Sequence, residues 1–182
     1  RHLLVLVIVH GLTAYSFDSR TLLSLSIVAL AGWMVIEQQV GTLFDSSIET
    51  AVRALLCAAV VLMWRFADAK WRGSRSFERV FDHFIANLAL AGGVILLFDD
   101  GTRPIGALIT IVLAVITARY PFRVRSGSLV VYAYAYAFLA VVVFVVDVLN
   151  DETIVMLFLI LASITAIAGL FVVHAAFKRR IA

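Results

Sequence analysis

The sequence predicts an all-α protein, a polytopic transmembrane helical bundle with about seven spans. Of the 182 residues, 63% are hydrophobic and 15% are charged, and the mean hydropathy is +1.05. An average soluble domain contains roughly 45–50% apolar and about 25% charged residues, so this composition indicates a membrane protein. The apolar residues are gathered in seven segments separated by short polar loops, and each segment suits a helix in lipid.

The seven apolar segments differ in length. They cover residues 3–17, 21–36, 48–66, 84–98, 104–120, 129–149 and 154–177. A helix needs roughly 20 residues to cross about 30 Å of hydrocarbon. The second and fifth segments are short by this measure, which leaves open whether they thin the bilayer locally, rely on interfacial residues at their ends or lie inside the bundle.

Residues that favour helix ends stand at the breaks between the apolar segments. Ser, Asp and Asn cap helix N-termini, proline suits a first helical turn, and Ser followed three residues later by Glu forms a capping box. The candidates are Asp18 or Ser19 for the second helix, Ser46 with Glu49 for the third, Pro104 for the fifth, and Asn150 or Asp151 for the seventh. Their agreement with the hydropathy pattern supports the predicted boundaries.

The basic residues are unevenly distributed between the loops. All of the 15 Lys and Arg residues except Arg1, Arg53 and Arg103 fall on one side of the predicted bundle. Cytoplasmic loops of membrane proteins carry an excess of Lys and Arg. We therefore expect a cytoplasmic C-terminus, with the N-terminus of this sequence on the outer side. We also expect residues 1–182 to form a single transmembrane domain and to be a fragment of a longer chain lacking its N-terminal part.

The loop before the fourth segment contains an amphipathic pattern. Phe77, Val80, Phe81 and Phe84 recur at helical spacing on one face, opposite charged residues. The pattern predicts a short amphipathic helix at the cytoplasmic interface before the fourth span, with Trp71, Phe77 and Phe81 as interfacial anchors. Two alternatives remain open: the pattern is the lead-in to a long fourth helix, or it docks lipid headgroups or a protein partner.

The run YAYAYA in the sixth segment alternates tyrosine and alanine from Tyr132 to Ala137. A lone strand cannot span lipid without exposing its backbone, so the run belongs to a helix. On a helix Tyr132 and Tyr136 share a face, whereas Tyr134 points almost oppositely. We interpret Tyr132 and Tyr136 as anchors in a cytoplasmic aromatic belt. Packing of this face on a neighbouring helix is the alternative.

Acidic and amide side chains collect on the opposite, outer side. Arg53 follows Glu49 at i, i+4 spacing, which predicts an ion pair near the outer interface. The other outer residues are candidates for a vestibule that attracts cations. The outer candidates are Glu37, Gln38, Asp45, Glu49, Arg53, Asp99, Asp100 and Asp147.

Three histidines fall at similar predicted depths near the cytoplasmic side: His10, His83 and His174. A bis-histidine haem is conceivable, which makes them weak candidates for cofactor binding. No two share a helix at i, i+4, and no Cys or carboxylate joins them at ligand spacing. We therefore predict neither a metal nor a cofactor.

Two stretches together resemble a known family. They are AYSFDSRTLLSLSIVALAGW, from Ala14 to Trp33, and SGSLVVYAYAYAFLAV combined with a closing apolar helix that ends in HAAFKRR. They are similar to the DUF2157-like multi-pass membrane proteins of bacteria, and the similarity covers about two-thirds of the chain. The resemblance implies a bacterial inner-membrane location and a family without an assigned activity, and it supplies no catalytic residues.

The residues favour a non-enzymatic function. We find no nucleophile–base pairing, no glycine-rich phosphate loop and no paired carboxylates at depth in the sequence. The first hypothesis is a structural or accessory subunit of a larger membrane complex, with membrane lipids and membrane proteins as partners. The alternative is a small-solute or ion transporter using the acidic outer face, followed by a haem protein or other membrane enzyme. Nucleic-acid binding is not expected, because the basic residues are spread between apolar runs.

Overall fold

The structure is a computed structural model that describes residues 2–36, 47–72, 77–120, 127–149 and 151–181. The described residues form seven α-helices and contain no strand, which confirms the all-α prediction. A π-helical turn, Gly32–Ile36, follows α2, and a 3-10 turn, Leu96–Phe98, follows α4. The helices are α1 (His2–Ser16), α2 (Arg20–Ala31), α3 (Ser47–Arg72), α4 (Glu78–Ile95), α5 (Arg103–Arg119), α6 (Gly127–Val148) and α7 (Glu152–Ile181).

Four stretches of the described helices are long and apolar enough to cross a membrane. Two further helices, His2–Ser16 and Arg20–Met34, are apolar but shorter. These helices identify an integral membrane protein, whereas the number of about seven spans stays a prediction. The four stretches are Ile48–Trp71, Glu78–Phe98, Gly127–Val148 and Glu152–Val173.

The helix ends follow the capping residues that the sequence offers. Ser19 is the N-cap of α2 and accepts a hydrogen bond from the Leu22 backbone N–H at 3.4 Å. The Asp151 carboxylate accepts from the backbone N–H groups of Thr153 and Ile154 at the start of α7, at 2.8 and 3.2 Å. Pro104 lies in the first turn of α5. Ser46 and Asn150 lie outside the described residues.

Helices α3 and α4 differ from the prediction at the ends that face each other. Helix α3 continues to Arg72, six residues beyond the predicted end of the third segment at residue 66, so Asp68 and Lys70 belong to the helix rather than to the following loop. Helix α4 begins at Glu78 and runs without a break to Ile95. The amphipathic residues are therefore the lead-in to a long helix, which was the alternative interpretation.

The chain divides into two compact units, residues 1–92 and 93–182. In unit 1, α1 and α2 pack as a hairpin, and the buried Ser26 hydroxyl donates to the Val7 carbonyl at 2.7 Å. Phe77 and Phe81 are 1% and 0% exposed, so their interpretation as interfacial anchors is wrong. Their rings fill space between helices, where the hydrophobic gain is larger than at an interface. The core cluster contains Ala14, Leu23, Ile27, Leu30, Cys57, Val61, Phe77 and Phe81.

Unit 2 contains the 3-10 turn and α5, α6 and α7, with α6 packed against both α5 and α7. Its buried cluster consists of Val94, Leu97, Ala107 and Ala140. Gly106 allows the closest approach, since a Cβ atom there would lie 2.7 Å from the Leu96 Cβ. Small residues at such points let helix backbones approach closely, as is common in membrane proteins.

Candidate functional site

The most buried ionic cluster of unit 1 joins the end of α3 to the start of α4. The Arg65 guanidinium pairs through Nη2 with Glu78 Oε1 at 2.8 Å and through Nε with Asp82 Oδ1 at 2.7 Å. The Arg65 and Asp82 side chains are only 17% and 7% exposed. Both acceptors lie one turn apart on α4, so one guanidinium fork reaches both. The cluster fixes the relative height of α3 and α4.

An aromatic cluster adjoins this ionic cluster. The Trp64 indole N–H donates to the Tyr15 hydroxyl at 2.9 Å, which links α3 to α1. The Tyr15 ring meets Phe77 edge-on at 5.4 Å, and Trp64 meets Phe81 at 5.7 Å. Edge-to-face pairs at these distances are favourable. The cluster therefore ties the end of α1 to the facing ends of α3 and α4.

Asp68 lies three residues beyond Arg65 on α3. It is 6% exposed, and its Oδ1 atom has no hydrogen-bond partner in the described part of the chain. A carboxylate oxygen in such a position is costly unless it is compensated. Sequence reasoning missed both residues, because it counted Arg65 only among the basic residues that set the orientation and ended the third segment before Asp68.

A second ionic cluster lies in unit 2. Arg103 pairs with Asp100 and with Asp147 of α6. Its Nε–H also donates to the Leu97 carbonyl at 3.0 Å, while the Thr102 hydroxyl donates to the Leu96 carbonyl at 3.0 Å. The two donors satisfy carbonyls at the end of the 3-10 turn, which would otherwise lack partners.

The structure gives partners within the chain to the outer candidates that it describes. The structure pairs Glu49 with Arg53, as their spacing predicts. Asp99 accepts a hydrogen bond from the Gly101 backbone N–H at 3.0 Å, and Asp100 and Asp147 share Arg103. Glu49 is paired with one arginine, whereas Asp100 and Asp147 share a single arginine, so the described outer carboxylates are bound within the fold but are not all neutralised. Glu37, Gln38 and Asp45 lie outside the described residues.

The histidine candidates do not form a recognisable ligand set. His10 Nδ1 is buried and lacks a hydrogen-bond partner in the described part of the chain, and His83 lies near Arg79. The side chain of His174 lies outside the description. Among the described residues, no group of three or more His, Cys, Asp or Glu side chains could hold a metal ion.

The tyrosines of α6 have packing roles within unit 2. Tyr136 packs against the buried cluster of the unit, which favours the packing alternative for this residue. The Tyr134 hydroxyl lies 3.3 Å from the carbonyls of Thr165 and Ala166 on α7. Gly169 makes room for it, since a Cβ there would lie 2.6 Å from Tyr134 Cζ. Tyr132 is half-buried.

Trp71 is 83% exposed, and this position agrees with an interfacial role.

Comparison of the chain with protein-family models, with curated proteins and with solved structures finds no match.

Proposed function

We propose that this protein is a structural or accessory subunit of a membrane assembly in the bacterial inner membrane. The observation that carries the proposal is the exposure of α7. This helix has 30 residues, and Ala162 is the one residue of its described part that is buried. It packs against α6, and Gly169 lies against Tyr134 of that helix. Its remaining faces are apolar, and no described residue of unit 2 covers them.

The exposed residues of α7 are large and surround the helix. A solvent-exposed patch of this kind marks a contact with lipid or with protein. Because a 22-residue stretch of α7 can cross a bilayer, the helix suits contact with a neighbouring transmembrane helix. The exposed large side chains are Ile154, Met156, Leu157, Leu159, Ile160, Leu161, Ile164, Ile167, Phe171 and Val172.

The charged residues support the same function. Arg65 and Arg103 are partly buried, and each pairs with two carboxylates of its own unit. Such ion pairs fix helices relative to one another, and they are typical of a structural framework. The described geometry thus favours an architectural role over a solute pathway.

Photo-crosslinking in the native membrane tests this proposal. A photoreactive amino acid at Ile160 or Ile164, which are 59% and 61% exposed, is expected to capture one membrane protein that also co-purifies at constant stoichiometry in mild detergent. The matched control is the same probe at Ala162, which is 8% exposed and faces the interior of unit 2. Lipid adducts alone at all exposed positions, together with a lone monomer in detergent, would rule out an accessory role.

We further propose that the C-terminus and the end of α3 face the cytoplasm, on the basis of the distribution of Lys and Arg. The test uses a Cys57→Ser background, so that each introduced cysteine is the one thiol in the sequence. A cysteine replacing Trp71 is expected to resist a membrane-impermeant thiol reagent in intact cells, and one replacing Gly101 is expected to react. The reversed labelling pattern would show that the orientation is inverted.

A further inference from the structure

One end of unit 1 exposes basic side chains from three different helices. Arg20 lies at the start of α2, Lys70 lies near the end of α3, and Arg79 lies in the first turn of α4. All three side chains are exposed, and no hydrogen bond or ion pair joins them to a described residue. We call these three residues, together with Trp71, the basic end.

The aromatic cluster brings the three helix ends together. Tyr15 at the end of α1 contacts Trp64 of α3 and Phe77 directly before α4. The turn that follows α1 leads within a few residues to Arg20. The three basic residues therefore lie at one end of the unit rather than at scattered depths.

The acidic residues of this end are mostly turned inwards. Asp68 and Asp82 are 6% and 8% exposed, and the partly exposed Glu78 shares Arg65 with Asp82. Asp18 is the one exposed acidic residue at this end in the described part of the chain, and it interacts with another group. Most carboxylates of this end are thus buried or partly buried while its three basic side chains are exposed, so the surface that reaches the membrane boundary is predominantly basic.

Aromatic side chains accompany the exposed charges. Trp71 is 83% exposed, Phe17 76% and Phe66 60%. Trp and Phe in such positions prefer the boundary between headgroups and acyl chains, where Trp is enriched in membrane proteins. Because α3 and α4 are candidate spans, their facing ends lie at the membrane surface rather than in bulk water.

We propose that the basic end binds the phosphate-bearing headgroups of anionic lipids. The charge complementarity is direct, since Lys and Arg side chains next to an anionic leaflet each favour binding by about fivefold. Arg72 and Arg75 belong to the same stretch of sequence, although their side chains lie outside the described part. The inference rests on the membrane location of the chain but not on the proposed accessory role.

Fluorescence quenching in reconstituted vesicles tests the proposal. The chain is placed in phosphatidylcholine vesicles that contain a minor fraction of phosphatidylglycerol, with bromine on the acyl chains of one lipid or the other. The Trp71 signal is the difference between the wild-type chain and the Trp71→Phe variant. We expect the quenching to correspond to a local phosphatidylglycerol fraction around Trp71 that is about fivefold or more above its mole fraction in the vesicle. High salt should reduce this enrichment.

The double variant Lys70→Gln/Arg79→Gln is expected to lose most of the enrichment, whereas its helix content by circular dichroism stays unchanged because both side chains are exposed. The matched control is Arg53→Gln, which removes a positive charge near the opposite end of α3, roughly 25 Å from Lys70 along the helix, and should leave the Trp71 quenching ratio unaltered. Quenching of Trp71 by brominated phosphatidylglycerol in proportion to its mole fraction in the vesicle, or an enrichment that survives in the double variant, overturns the proposal. Since the assay uses the purified chain, its result is independent of any partner protein.

Discussion

Replacing Gly106 by alanine is expected to destabilise unit 2, although alanine is the better helix former. Gly106 lies in the first turn of α5, against the 3-10 turn. A Cβ atom there would lie 2.7 Å from Leu96 Cβ, 2.8 Å from the Leu96 carbonyl carbon and 2.9 Å from the Leu97 nitrogen. Two of these are backbone atoms, which cannot rotate away as a side chain can. The two elements must separate, so the contact across them weakens.

The magnitude follows from two opposing terms. Overpacking of a tight contact costs about 1–3 kcal/mol, and the change from glycine to alanine returns at most about 1 kcal/mol of helix propensity. Unfolding in mixed micelles with increasing dodecyl sulfate, followed by circular dichroism, should therefore show a net loss centred on about 1 kcal/mol, within a range of roughly 0–2 kcal/mol. Gly106→Val should lose more, since it adds two further methyl groups at the same point.

The control for this series is Gly32→Ala in unit 1. A Cβ atom at Gly32 would meet Leu3 Cδ1 at 3.5 Å, an ordinary van der Waals distance at the flexible end of a side chain. This variant should be as stable as the wild-type chain or slightly more stable. If Gly106→Ala proves as stable as Gly32→Ala, the close approach of α5 to the 3-10 turn is incorrect.

Three further predictions use the same unfolding assay. Arg65→Met removes the cation shared by two carboxylates of α4 and should lower the free energy of unfolding by about 3–5 kcal/mol. The control Arg79→Gln, at an exposed position, should change it by less than about 0.5 kcal/mol. Similar losses in the two variants would contradict the buried pairing. Gly169→Ala displaces the Tyr134 ring; the overpacking of about 1–3 kcal/mol exceeds the helix-propensity gain of at most about 1 kcal/mol, so a net loss of about 1 kcal/mol is expected. Tyr134→Phe should lose less than this, and the reverse order would be inconsistent with the packing of α6 on α7. Asp147→Asn breaks a partly exposed ion pair, so its loss of at most about 1 kcal/mol should shrink as salt is added, and a loss insensitive to salt would indicate a different role.

The helix boundaries were largely readable from the sequence, because local interactions set them. Ser19 and Asp151 cap the helices that they were predicted to cap, through hydrogen bonds that span two or three residues. Pro104 stands in a first turn, where its missing N–H is not needed. Such features depend on neighbours in the sequence, so a pattern of residues is sufficient to find them.

The ionic clusters were not readable, because their members come from separate elements. Arg65 stands at the end of the third apolar segment and was counted only with the basic residues that follow it, but its guanidinium pairs with Glu78 and Asp82 on α4, and α3 continues to Arg72. A regular i, i+4 pair such as Glu49 with Arg53 is visible in one helix. Pairing across a loop depends on the register between two helices, which no local pattern specifies.

The aromatic residues show the same limit. The amphipathic spacing of Phe77 and Phe81 identified one apolar face, but the spacing is identical whether that face meets lipid or protein. Packing against Tyr15 and Trp64 decided between these environments. The exposed Trp71, a few residues earlier, keeps the surface position that was expected.

The sequence by itself determined the all-α class, the membrane character and the approximate ends of the helices, because these follow from hydropathy and from hydrogen bonds between near neighbours in the chain. Tertiary structure alone decided which charges are paired, which aromatic rings form the core, and that Tyr134 enters the space left by Gly169. These outcomes depend on distances between helices, which side-chain volumes set at contacts far apart in the sequence. The exposure of α7 was also decided by the tertiary structure alone, since an apolar helix has a similar sequence whether it is buried or uncovered.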